Sequence, residues 1–372
     1  MKKIAIVGGG LAGLIAAIRL GKAGLPCLLF EKKVYPFHRV CGEYISNEVL
    51  PFLKKEQLFP ENIQTPRINV LQLSSVSGKT AELSLDMGGF GISRYAFDYF
   101  LAQQAVNAGV EIIHEEVDAI TFYEQEKTFS VTTGRGSWQI DFVIGSFGKR
   151  SRLDINLQRS FIEKRSPYVG IKYHIRTQHP DNVIALHNFN GGYCGISNIE
   201  DGKSTLCYLA HRDLLKKHKS ISALEKEVLF QNPHLERIFT FAEFLFGKPE
   251  TINEISFETK EPVFNHILMA GDAAGMIAPL CGNGMAMAIH TGKLVSDIVT
   301  EAINHQHSRE WVEAGYTQQW KKLFQDRLRT GRVIQNYLFG SVWSSRLAVS
   351  LAVNSNAIAN YIARRTHGEI IQ

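Results

Sequence analysis

The six residues Gly8-Gly9-Gly10-Leu11-Ala12-Gly13 constrain this chain more than any other feature. Before them stands Ile4-Ala5-Ile6-Val7, a short apolar run of strand type. After them, Leu11 to Ala23 is rich in Ala, Leu and Ile and reads as a helix, which Gly24-Leu25-Pro26 stops. Cys27 to Glu31 then reads as a second buried strand. A strand, a glycine turn, a helix and a strand form the unit that cradles a dinucleotide. The first glycine permits the tight turn, the second lets backbone approach a pyrophosphate, and the third lets helix and strand close up. Helix N-terminal amides then face the phosphate charge. Glu31 falls where an acid bonds ribose hydroxyls, with Lys32 beside it. A dinucleotide is therefore expected on Gly8, Gly10, Leu11, Ala12, Gly13, Glu31 and Lys32. The alternative is a tight structural turn with Glu31 on the surface. This turn does not separate FAD from NAD.

Composition narrows the rest. The 372 residues are 45% hydrophobic and 21% charged, an ordinary globular balance long enough for two domains. The net charge of +5 is spread along the chain, so no nucleic-acid partner is expected. Cys27, Cys41, Cys194, Cys207 and Cys281 are widely spaced without a CxxC pair, so neither a disulfide framework nor a metal site is expected. The apolar start breaks at once into glycines and reads as a strand, not a leader. No run reaches the roughly 18 apolar residues of a membrane span, and a cytoplasmic location is expected.

Further along, Arg67 to Gly91 alternates as antiparallel strands do, and Arg94 to Ala108 reads as a helix followed by a strand over Val110 to Ile113. Phe122 to Phe142 suggests a meander around Gly134-Arg135-Gly136. Tyr168 to about Ala210 is rich in strands, and Leu214 to Phe230 looks helical. Ile267 to Ala270 is a buried strand entering Gly271-Asp272, a helix starts near Gly284, and the chain from Arg309 is helical.

Gly271-Asp272-Ala273-Ala274-Gly275 is followed by Pro279-Leu280-Cys281-Gly282-Asn283-Gly284-Met285. With these segments the sequence resembles the flavoprotein aromatic hydroxylase and geranylgeranyl reductase superfamily. The resemblance implies FAD rather than NAD. It implies that Gly271 and Asp272 meet the ribityl chain, and that Pro279 and the amides of Gly282, Asn283, Gly284 and Met285 face the flavin pyrimidine edge. A helix N-terminus there suits the negative charge of a reduced flavin. A glycine-rich helix cap is the alternative. Arg94-Tyr95-Ala96-Phe97-Asp98-Tyr99-Phe100-Leu101 resembles the family's Arg-x-x-x-Asp-x-x-Leu helix, whose Arg reaches the cofactor. A solvated i,i+4 pair is its alternative. Val117 falls where members place a residue beside the adenine. The family's Asp-Gly with Ser three residues on reads here Phe147-Gly148-Lys149-Arg150-Ser151. Phe147 replaces the Asp, which leaves NAD(P)H open as the electron donor. Lys149 and Arg150 either attract a phosphate or form a solvated charge pair, and a short basic run favours the second.

Arg39-Val40-Cys41-Gly42-Glu43-Tyr44-Ile45-Ser46 looks like the Cys-Gly-(Gly/Glu)-x-(Ile/Leu)-Ser segment of the geranylgeranyl reductase branch. There the Cys lies near the flavin ring. The resemblance implies that Cys41 protonates or orients a substrate double bond, with Arg39 on the cofactor. A small buried thiol is the alternative. The branch's aromatic substrate motif reads here Gly191-Gly192-Tyr193-Cys194-Gly195-Ile196-Ser197. Tyr193 fits its Tyr and is the second catalytic candidate. Its Trp and Phe-Pro are absent, and so is the Trp-x-Trp-x-Ile-Pro motif of flavin halogenases.

The expected fold class is α/β: a Rossmann-type FAD-binding domain with an inserted antiparallel β-sheet substrate domain and C-terminal helices. Residues 1–66, 94–165 and 262–310 form the FAD-binding domain, 67–93 and 166–261 the substrate domain, and 311–372 the helical region. The expected function is FAD-dependent double-bond reduction in a small lipophilic or polyketide-like substrate. FAD-dependent aromatic monooxygenation and non-catalytic electron carriage, the latter with a redox partner protein, are the alternatives. Trp320, Phe324, Leu328 and Ile334 lie at helical spacing among Lys321, Lys322, Arg327, Arg329 and Arg332. That pattern suits a helix packed on the FAD domain with its basic residues in water, or a peripheral membrane contact.

Overall fold

A computed structural model describes residues 2–338, positions 343, 345, 346, 349 and 350, and residues 367–372. In chain order the first stretch holds β1 (Ile4–Val7), α1 (Leu11–Lys22), β2 (Cys27–Phe30), β3 (Tyr44–Ser46), α2 (Leu50–Lys55), β4 (Arg67–Ser74), β5 (Thr80–Gly91), α3 (Arg94–Asn107) and β6 (Glu111–Ile113). A meander of β7 (Val117–Tyr123), β8 (Thr128–Thr133) and β9 (Gly136–Ile140) leads to β10 (Phe142–Gly145) and α4 (Arg152–Asn156). Then come β11 (Tyr168–Arg176), β12 (Val183–Phe189), β13 (Gly192–Asn198), β14 (Ser204–His211), α5 (Arg212–His218), α6 (Ile221–Glu227), α7 (Pro233–Phe241), β15 (Glu243–Phe244) and β16 (Glu250–Asn253). The chain returns through β17 (Val263–Phe264) and β18 (Ile267–Met269) to the long helices α8 (Gly284–His305) and α9 (Arg309–Leu338).

These elements form two large sheets. The first runs β17-β18-β10-β1-β2-β6 and is parallel except for β17. Its central strands are continuous apolar runs because helices cover both faces of such a sheet. Helix α1 lies between it and α8, so nine of its twelve residues are buried. The second sheet runs β15-β11-β14-β13-β12-β4-β5-β3, with β16 added beside β11. Its pairs are antiparallel except β4 with β12, where Val70 faces Val183. Strand β3 comes from the segment next to Cys41 and joins this sheet through β5.

Alternation divides the second sheet into two faces. Val169, Ile171, Tyr173 and Ile175 of β11, with Leu206, Tyr208 and Ala210 of β14, form a core with Leu224, Leu229 and Leu235 from the segment that carries α6 and α7. Gly170, Lys172 and His174 of β11, with Thr205, Cys207 and Leu209 of β14, face the other way, toward the first sheet.

Leu214 to Phe230 is not one helix. Lys219 sits in the left-handed region at φ 64, and Ser220 caps a new helix by accepting from the Ala223 amide. Helix α9 packs on the first sheet through Tyr316, Trp320 and Phe324, and the Tyr316 hydroxyl donates to the Met269 carbonyl at 2.5 Å. Its basic residues divide. Lys321, Lys322 and Arg329 are exposed, but Arg327 is buried and meets the Glu48 carboxylate at 3.3 Å. Arg327 is in the interior because the fully buried Glu48 needs a cation. Among the described residues no helix is long and apolar enough to cross a membrane.

Candidate active site

A cavity of about 1000 Å³ separates the inner face of the second sheet from the C-terminal ends of β1, β10 and β18. That end of a parallel sheet is where ligands bind in open α/β folds. Its wall includes Gly8, Gly10, Leu11, Ala12, Glu31, Lys32, Arg39, Arg94 and Val117 from the first part of the chain. Gly271, Asp272, Pro279, Gly282, Gly284 and Met285 join it from the far part. Cys41 and Tyr193 line it too. Gly13 and Asn283 stand behind the wall.

The turn after β1 is fixed by hydrogen bonds to its neighbours. The Gly8 amide donates to the Phe30 carbonyl at 2.8 Å, and Ser146 Oγ donates to the Gly8 carbonyl at 2.7 Å. A Cβ on Gly13 would overlap the Gly8 carbonyl and Ser146 Oγ. Glu31 is 7% exposed, not a surface residue. Its Oε2 accepts from the Gly9 amide at 3.0 Å and from Arg39 at 2.9 Å. Arg39 also reaches Asp98 at 3.1 Å, and Arg94 grips the same carboxylate at 2.6 and 2.7 Å. Arg94 therefore makes the i,i+4 pair and lines the cavity as well, and the pair is buried rather than solvated.

On the opposite side, β18 delivers Gly271 and Asp272. The Gly271 amide donates to Thr291 Oγ1 of α8 at 2.9 Å, and the buried Arg159 holds the Ala273 carbonyl at 2.9 Å. Lys260 Nζ donates to the Asp272 carbonyl at 2.8 Å and the Lys149 carbonyl at 2.6 Å. Burial raises the Asp272 carboxyl pKa, while Lys260, Arg94 and Lys149 oppose that rise. Lys149 is not half of a solvated pair. It is 9% exposed, its Nζ donates to the Asn253 carbonyl at 2.7 Å, and burial lowers its pKa to about 7. The β16 edge that supplies this acceptor comes from more than a hundred residues away, so local charge density could not foretell the burial. Asn283 turns its amide to Glu48 Oε2 at 3.3 Å, leaving the start of α8 to the cavity.

Beyond Asp272 the wall changes character. In the second sheet, Leu186, Gly195, Cys207 and Lys172 form one cross-strand row, and Ile184, Ser197, Thr205 and His174 the next. Each row runs from apolar to polar. With Leu71, Leu73 and Leu83 of β4 and β5, the aliphatic end makes a broad apolar floor. At the polar end lies the Cys41 loop, and Thr205 Oγ1 donates to the Cys41 carbonyl at 3.5 Å. Burial raises the Cys41 thiol above its ordinary pKa, and raises the Tyr193 hydroxyl well above its own. Both groups hold their protons at neutral pH. Cys207 and Cys281 line the same cavity, each pushed by burial to about 12.

Four residues of this end were not singled out from the sequence: His38, Glu43, Lys172 and His174. Glu43 is fully buried and accepts from Lys172 Nζ at 2.5 Å and from the Arg94 amide at 2.8 Å. Its Oε2 lies 2.6 Å from His174 Nε2. The His38 ring packs edge-on against His174 at 5.1 Å. A signal existed, since Lys172 and His174 interrupt an apolar strand two residues apart, which places both on one face.

The residues present fit FAD. A Cβ on Gly10 would meet only the Arg94 guanidinium, at 3.7 Å, so the turn is open toward the cavity. One continuous wall then joins this turn to Asp272 and on to Cys41. A Rossmann-type sheet with both glycine segments on one cavity has the form of a dinucleotide-binding enzyme. The FAD binding domain family matches residues 1–318, and the chain belongs to that family. It is an FAD-dependent oxidoreductase. It is similar to digeranylgeranylglycerophospholipid reductase of Methanosarcina acetivorans, 24% identical over 358 residues, covering 90% of this chain and 84% of that one. The corresponding enzyme of Methanocaldococcus jannaschii is 26% identical over 345 residues, covering 86% and 82%. Among solved structures, a geranylgeranyl bacteriochlorophyll reductase-like protein of Thermoplasma acidophilum has a TM-score of 0.76 at 17% identity, covering 98% of this chain and 97% of that one. A probable FAD-dependent monooxygenase of Pseudomonas aeruginosa has a TM-score of 0.75 at 15% identity, covering 94% and 99%. These two share the fold.

Proposed function

We propose that the protein reduces a carbon–carbon double bond in a lipophilic substrate, with Cys41 giving the proton. The observation that carries this reading is the place of Cys41 on one cavity wall with Asp272 and an apolar floor, where burial raises its thiol pKa and so favours the protonated form. The reductase names of the relatives support it. Bound FAD, once reduced, supplies the hydride. Gly8, Gly10, Leu11 and Ala12 take the pyrophosphate on the amides that open α1, while Gly13 lets the turn close. Glu31 takes the ribose, because a carboxylate with about four acceptor sites keeps capacity beyond its bonds to the Gly9 amide and Arg39. Arg39 and Arg94 counter the phosphate charge, and Val117 flanks the adenine. Asp272 takes the ribityl chain, and the backbone from Gly282 to Met285 the pyrimidine edge. Leu71, Leu73, Leu83, Ile184 and Leu186 hold the hydrocarbon part of the substrate and exclude water. Tyr193, on the wall of the same cavity, orients the substrate.

Incubation of chemically reduced holoprotein with prenyl-chain alkenes, without oxygen, tests the reading by mass spectrometry. A product two mass units heavier is expected, and replacing Cys41 by Ala lowers its formation by about 100-fold or more while the flavin spectrum persists. No reduced alkene, together with substrate-dependent oxygen uptake in air, would establish the monooxygenase alternative instead. Adding NADH or NADPH in place of the chemical reductant decides whether Phe147 excludes a nicotinamide donor.

A further inference from the structure

We infer that the buried Lys172–Glu43 ion pair, with His174 on the same carboxylate, forms a clasp that positions the Cys41 thiol and keeps its proton in place. The inference rests on the role of Cys41 proposed above. Glu43 adopts φ 55, a conformation uncommon for a residue with a side chain. The surrounding contacts impose it. Glu43 Oε1 accepts from Lys172 and from the first amide of α3, and Oε2 pairs with His174. Lys172 Nζ also donates to the Arg39 carbonyl at 3.0 Å. Strand β11 thus grips the loop at both ends of its Arg39-to-Glu43 stretch. Strand β14 holds the middle through Thr205. At the centre, the Glu43 amide donates to Cys41 Sγ at 3.5 Å.

Stability alone is a poor reason for this arrangement. A fully buried ion pair is often no better than two apolar residues of the same volume. Its effect on the thiol is more specific. The groups facing Cys41 are Arg94 from α3, Lys172 from β11, Cys207 from β14 and Glu43 from its own loop. His38 and His174 stand behind them, and burial lowers His38 to about 4, so it is neutral. A cation near the thiol, or an N–H aimed at its sulfur, favours thiolate, and an anion favours thiol. The Glu43 amide and the Glu43 carboxylate thus act on Cys41 in opposite directions, and only the carboxylate is removed in a Gln variant. Glu43 neutralises Lys172, so the loop is pinned without pulling the proton from Cys41. Lys172, Glu43 and His174 are therefore positioning residues.

Opposite charge removals have opposite signs. The FAD-bound protein is alkylated with iodoacetamide from about pH 6 to about pH 10. Labelling is quantified on the Cys41 peptide, so Cys207 and Cys281 do not interfere. In Glu43→Gln the labelling profile of Cys41 moves down by about one pH unit, roughly tenfold faster labelling near neutrality. In Lys172→Met it moves up. The double variant returns to the wild-type profile. Should Glu43→Gln shed its FAD, Lys172→Met still carries the test through its opposite sign. Single variants with an unmoved profile would overturn the clasp. Labelling needs no turnover, so the two ideas fail separately: a fully active Cys41→Ala variant removes the catalytic role of Cys41 and leaves the titration result standing.

Discussion

Gly10 and Gly13 belong to one turn, yet a methyl group would meet different things at each. At Gly13 it strikes backbone, so any side chain there disturbs the fold itself. At Gly10 it meets only the tip of Arg94 at 3.7 Å. Gly10→Ala is therefore expected to leave the apoprotein's melting temperature unchanged and to weaken FAD binding by about tenfold or more, read by flavin fluorescence quenching. Equal FAD affinity would mean that no phosphate approaches this backbone. Lys149 yields a pH prediction. Burial lowers it to about 7, and a cofactor phosphate bound within its reach would raise it again. FAD binding near pH 8 then takes up protons, and affinity falls as pH rises above about 7. Calorimetry in buffers of different ionisation enthalpy measures the uptake, and Lys149→Met should abolish it. That the Gly8 turn, Glu31 and Asp272 meet at one cavity was legible in the sequence because each sits at a fixed offset within a local motif. The Glu43 contacts were not, since their partners lie 129 and 131 residues away on a strand whose neighbours no local pattern specifies.

At the level of elements, the glycine turn after β1 and the segment 271–285 are locked by one helix pair. A Cβ on Gly292 of α8 would meet the Ala12 carbonyl at 2.5 Å and Ile15 Cβ at 3.0 Å on α1. That close approach fixes the start of α8 relative to the glycine turn. Gly292→Val is expected to cost about 1–3 kcal/mol of stability in denaturant titration and to loosen FAD with it. Strands β1, β2 and β18 and helices α1, α3 and α8 were legible from apolar runs and helical spacing. The stretch from Leu214 to Phe230 was misread because Lys219 takes a left-handed conformation that its residue type does not announce. The buried Arg327 was misread because its partner, Glu48, lies 279 residues earlier.

For the whole molecule, the cavity is as much a property of the second sheet as of the first. Gly195 sits mid-row on its inner face, where a Cβ would approach only Leu186 closely, at 3.4 Å. Gly195→Leu should fold and retain its yellow flavin, yet reject long apolar alkenes while still accepting short ones. A rise in KM confined to the long substrates would mark this floor as the hydrocarbon site. Equal kinetics on both would move that site elsewhere. The alternation of Arg67 to Gly91 and the strand-rich block from Tyr168 to about Ala210 made an antiparallel sheet legible. Its parallel β4–β12 pair was not, because pairing between distant strands leaves no local trace.

The pairing of β1 also sets an order in time. Ile4 pairs with Cys27 on one side and with Phe142 on the other, and β10 in turn pairs with β18. As the chain leaves the ribosome, β1 keeps an unsatisfied edge until β10 emerges, and β10 keeps one until β18 does. Long-range parallel pairing of this kind is slow and exposes sticky edges. Newly made chains should therefore depend on chaperones until their last third is synthesised, and fragments ending before β18 should aggregate.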